Sequence, residues 1–118
     1  MTSRGRVGAM NKISLDAVAR EQRKKAAAAS SGRSAETVCG GHEKALRQTV
    51  IAMNAGAELA EHENPGEATL LVLSGRVELR SNDVMWSGRA GDLLHVPDDR
   101  HSLHALEASA VLLTVVKK

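Results

Sequence analysis

The sequence predicts an all-β fold preceded by one N-terminal α-helix, and three observations carry that expectation. From residue 34 onward, turn residues (Gly, Pro, Asn, Asp and Ser) recur about every ten residues. The segments between them are short, apolar and often alternating. Ahead of them, 14–30 (SLDAVAREQRKKAAAAS) contains neither Gly nor Pro and is rich in strong helix formers. Short strands punctuated in this way form a sandwich or barrel.

The helix is expected over 14–30, with Ser14 as its N-cap and Ser30-Ser31-Gly32 as its stop. Its apolar stripe is thin: Leu15, Val18 and Ala19 lead into alanines, so it must dock on another surface to be stable. Strands are expected at 34–39 and 45–53 around Gly40-Gly41, and at 58–62, closed by Asn64-Pro65-Gly66. They continue at 68–73, 77–80, 84–86, 93–96, 101–106 and 110–116. The last of these, AVLLTVV, is apolar on both faces. One face belongs to a core, and the other requires a cover, either the N-terminal helix or a partner subunit. The chain thus divides into a basic segment with one helix, 1–33, and a barrel domain, 34–118.

Composition narrows the possible functions. Apolar residues make up 42% of the chain, enough for a core, but Trp86 is the only aromatic residue. The core must therefore be aliphatic, and Trp86 is expected to plug one end of the barrel or lie at a subunit contact. There is no tyrosine for acid–base work and no aromatic platform for single-stranded nucleic acid or for sugars. The single Cys39 forms no internal disulfide and no multi-cysteine zinc site; in its apolar strand it is expected to be a buried small hydrophobe. Residues 1–48 carry 10 Lys and Arg against 4 Asp and Glu, and residues 49–118 carry 6 against 10. No nucleic-acid motif accompanies the basic front, so it reads as a solvated segment and no nucleic-acid partner is expected. No apolar run approaches the roughly 18 residues of a membrane span, and no membrane partner is expected. The basic Met1–Met10 stretch, in which Met10 offers an alternative start, lacks the apolar region of a signal peptide. With a lone thiol, this points to the cytoplasm.

Two phrases stand out: GAELAEHENPGEATLLVLSG, from Gly56 to Gly75, and GDLLHVPDDRH, from Gly91 to His101. In order and separation they resemble the two motifs of the cupin superfamily, over roughly residues 45–116. The resemblance implies a cupin-type, RmlC-like jelly-roll β-barrel, commonly dimeric, with a pocket at its mouth. In metal-binding cupins the first motif supplies two histidines and a carboxylate and the second supplies a third histidine, a set that holds Fe, Mn, Ni or Zn. Carried onto this chain, the first position is His62, the second Asn64, the third Ala68 and the fourth His101. Asn64 is a poor donor and Ala68 is none. The expected pocket is therefore His62, Asn64, Ala68 and His101, with His62 and His101 as the metal ligands and at most a weakly bound divalent ion. Glu67 and His104 are the nearest substitutes, although strict alternation points both away from the site. His42 and His95 read as surface or sheet residues. The acidic cluster Glu58, Glu61, Glu63 and Glu67 around His62 reads as strand edge and turn, or as a rim disfavouring anions. The expected function is binding of an unidentified small molecule, by a homodimer. The alternatives are a metal-dependent dioxygenase or isomerase using His62 and His101, and a non-catalytic ligand-sensing regulatory protein.

Overall fold

The computed structural model describes residues 11–62 and 66–117, with Glu61 and His62 described by their backbone alone. The Met1–Met10 stretch, Glu63 and Asn64 lie outside the described residues. The chain runs α1 (Leu15–Ala28), β1 (Arg33–Cys39), β2 (Leu46–Met53), β3 (Glu58–His62), β4 (Gly66–Ser74), β5 (Arg76–Ser81), β6 (Val84–Arg89), β7 (Leu93–His95), β8 (His101–Ala105) and β9 (Ser109–Lys117). Every expected element is present, with ends shifted by a residue or a few.

The strands form two facing sheets, one ordered β1-β2-β9-β4-β7 and the other β3-β8-β5-β6. All the recorded pairings are antiparallel. Between the sheets lies an aliphatic core of Ile51, Met53, Leu70, Val72, Val77, Leu79, Leu103, Ala105 and Val111, with Val96 at its margin. Period-2 alternation supplies it. Val77 and Leu79 of β5 point inward, as do His101, Leu103 and Ala105 of β8, while the residues between them face out.

A second core lies on the outer face of the larger sheet. Val50, Ala110 and Leu112 are buried there against Ala19, with Leu15, Val18, Val38, Leu71 and Leu73 around them. The helix is thus the cover that the two-faced last strand requires. Ser14 caps it by accepting from the Ala17 amide at 3.2 Å, and Asp16 and Lys25 stand at the ends where the helix dipole favours them. Its buried residues, Ala19, Gln22 and Ala26, are mostly small, which lets the helix lie close to the sheet. Polar bonds fix the docking. Gln22 donates to Glu36 and accepts from Ser34, Arg23 donates to Ser74, and Asn54 donates to the Ala26 carbonyl at the helix C-terminus.

Two expectations need correction. Cys39 is exposed rather than buried. It ends an edge strand, and a register shift between Thr37 and Cys39 leaves Val38 as the residue that meets the second core. Trp86 is 50% exposed and so does not plug the barrel; its exposure leaves the other expectation, a subunit contact, standing. Its strand, β6, is the edge of the smaller sheet, so the indole has a neighbour strand on one side only.

The crossing from one sheet to the other turns at Gly75, where φ is +80°. The Ser109 hydroxyl braces it, accepting from the Arg76 amide at 2.9 Å and donating to the Glu107 carbonyl at 2.7 Å. Ser109 is 1% exposed, so Ser109→Ala removes a buried partner of the Arg76 amide. Urea unfolding followed by circular dichroism is expected to show a loss of about 1–3 kcal/mol. A loss of less than about 0.5 kcal/mol, the size of an ordinary surface substitution, would show that the brace does not stabilise the crossing.

Candidate functional site: one end of the barrel

The two sequence motifs meet at one end of the sandwich, where β3 ends, β8 begins and β4 begins. His101 opens β8 and is only 6% exposed. Pro97 follows the short strand β7, and the 97–100 turn brings the Asp99 carbonyl back over the ring, 3.0 Å from Nδ1. A carbonyl only accepts, so Nδ1 carries a proton and donates to Asp99. Orientation of a histidine by a backbone carbonyl is the arrangement that metal-ligating histidines use.

Directly across the sheet, the backbone of His62 pairs with that of His101. This pairing depends on an irregularity. Leu59 pairs with Leu103, so three steps along β3 correspond to two along β8. In a regular strand the third residue after an inward leucine falls on the outer face. The extra residue resets the register and brings position 62 into line with His101.

Ala68 is half-buried on the inner side of β4 and lies against the aliphatic core. It offers a methyl group where the family pattern places a carboxylate. The two possible substitutes stand elsewhere. β4 pairs with β9 without a shift from Gly66 to Val72, so Glu67 lies opposite Val116 on the outer face, exposed. His104 also faces outward, its Nδ1 3.3 Å from Glu58 and its Nε2 3.0 Å from the Ser102 hydroxyl. His42 and His95 are exposed, as expected. Among the described residues, no group of three His, Cys, Asp or Glu side chains could hold a metal ion. The described donors therefore do not fit a full cupin metal centre.

Two cavities beside this end were not anticipated. One, of 140 Å³, is lined by Leu79, Ser81, Val84, Trp86, Pro97 and Asp99, among others. It adjoins the turn that holds His101, and Ser81 donates to the Arg100 carbonyl across it. The other, of 190 Å³, is lined by Arg47, Thr49, Leu113, Val115 and Lys117 on the inner face of β2 and β9. Alternation counted back from the inward Ile51 would have placed Thr49 and Arg47 on that face.

The chain matches the family model described as the cupin domain over residues 49–117. It belongs to the cupin superfamily. Among solved structures, it is similar to a conserved protein of unknown function from Streptococcus pyogenes, 28% identical, over 76% of this chain and 78% of that one, with a TM-score of 0.68. It is also similar to an RmlC-like cupin from Desulfovibrio desulfuricans, 25% identical, over 71% and 81%, with a TM-score of 0.63. A cupin 2 conserved barrel domain protein from Salinispora arenicola shares the fold over 91% of this chain and 88% of its own, at 18% identity and a TM-score of 0.65. No curated protein matches the chain. Among the described residues, no helix is long and apolar enough to cross a membrane.

Proposed function

We propose that this cupin binds a small molecule at the end of its barrel marked by His62 and His101, with no more than a reduced metal site there. The observation that supports this best is the buried, carbonyl-oriented His101, in backbone register with His62 and with an alanine at the carboxylate position. Two imidazoles and water make a weaker site than the usual three or four protein ligands.

Calorimetric titration with Zn²⁺, Ni²⁺, Mn²⁺ and, under anaerobic conditions, Fe²⁺ tests the proposal. Each ion is expected to bind with a Kd of about 1 μM or weaker, and His101→Ala is expected to abolish what binding there is. Asn64→His combined with Ala68→Glu is expected to tighten binding by several kcal/mol, since a complete structural zinc site is worth about 10 kcal/mol or more. Nanomolar affinity in the unmodified protein would overturn the reduced-site reading and favour a metal-dependent enzyme.

We further propose that the protein works in the cytoplasm as a homodimer. The edge strands β6 and β7 expose Val84, Met85, Trp86 and Leu93, an apolar set that a second copy would cover. Light scattering at micromolar concentration tests the dimer, and a clean 12.5 kDa monomer would reject it.

A further inference from the structure

We infer that the barrel binds a short aliphatic carboxylate, with the Arg47 guanidinium as the group that takes the carboxylate; this rests on the ligand-pocket reading above. Arg47 lies on β2, on the inner face of the larger sheet, and its partner across β9 is Val115. It is half-buried and lines the 190 Å³ cavity. Among the described residues, no group hydrogen-bonds or ion-pairs with its guanidinium. A partly desolvated cation without a counter-charge is unfavourable, and a ligand anion relieves that cost. The planar fork of arginine also matches a carboxylate bidentately.

The rest of the wall defines the ligand's other end. Leu113 and Val115 are apolar and suit a hydrocarbon body. Thr49 adds a hydroxyl, 3.3 Å from that of Thr37, which can share in holding an oxygen. Lys117 contributes positive charge, with its ammonium 3.5 Å from the His42 carbonyl. The volume corresponds to about six waters at about 30 Å³ each, room for a body of only a few carbons. Across the strand pairing, Ala68 lies opposite Val115, so the missing carboxylate removes a negative charge that would otherwise stand near Arg47.

Calorimetry or ligand-observed NMR with sodium butyrate tests this, with butyramide as the uncharged isostere and inorganic phosphate as the non-carboxylate anion. Butyrate is expected to bind, and the other two are expected to bind at least about tenfold more weakly, the factor set by one charge-assisted hydrogen-bonding pair. Arg47→Gln is expected to weaken butyrate by at least about tenfold, with unchanged circular dichroism. If that variant misfolds, Arg47→Lys keeps the charge and loses the fork, and it should still weaken butyrate while leaving the spectrum unchanged. Equal binding of butyramide would leave the pocket standing and overturn the carboxylate assignment. Stronger binding of phosphate, no binding of butyrate, or an unaffected folded Arg47 variant would overturn it as well. The metal titration at His101 reads the metal site and not this cavity, so its outcome and that of the butyrate experiment are independent.

Discussion

A chain shortened to residues 34–118 should remain β-rich by circular dichroism, yet lose several kcal/mol of stability or associate. The helix does more than precede the barrel. It buries Val50 and Leu112, together with Ala110, on the outer face of the larger sheet. Fully burying a valine or leucine side chain contributes about 1.5–3 kcal/mol, so those two alone account for about 3–6 kcal/mol. Whole domains are stable by about 5–15 kcal/mol. Urea unfolding beside light scattering would measure both consequences. A shortened chain that is monomeric and within about 1 kcal/mol of the full one would show that the helix is not a structural cover.

Gly75→Ala should be nearly as damaging, and Gly91→Ala makes the contrast. Both glycines hold a positive φ, +80° and +93°. Alanine at either pays about 1–2 kcal/mol for the left-handed region. At Gly91 that is the whole cost, because an added Cβ meets nothing within 4 Å. At Gly75 it would run into the Ala108 carbonyl oxygen and the Ser109 hydroxyl, both far inside van der Waals contact. Backbone there cannot swing aside as a side chain would, because the Ser109 brace holds the crossing between the sheets. The expected loss is about 3 kcal/mol or more, a melting temperature lower by at least about 10 °C. Equal melting temperatures for the two variants would show that the crossing tolerates a Cβ.

The elements were legible because local signals and tertiary structure agree. Gly, Pro and Asn mark the turns, and in Val77–Leu79 and Leu103–Ala105 the inward positions can be counted by twos. The uncovered face of AVLLTVV also predicted a partner surface, which the helix supplies. What escaped the sequence depends on irregularity or on edges. The added residue in β3 that aligns position 62 with His101 leaves no compositional trace, since any residue can occupy a bulge of this kind. Cys39 and Trp86 are apolar residues whose exposure follows from standing on edge strands, and strand order is set by pairings distant along the chain. Arg47 was overlooked for another reason. A charged residue in a strand reads as solvent-facing unless the parity of its neighbours is carried through to it.

The position of Trp86 has a consequence for spectroscopy. With no Tyr and no Phe, its indole is the only aromatic chromophore in the chain. It is half-exposed in the folded single chain, so a monomer's emission should begin close to that of indole in water and change little when the core melts. In the proposed dimer a second copy would cover the indole, so a marked red shift on unfolding would itself report that contact, and backbone ellipticity is the monitor that serves in either state. The same placement makes the indole a selective reporter. It borders the cavity formed with Val84, Pro97 and Asp99, so a molecule settling there should alter its emission or shield it from a dissolved quencher such as iodide.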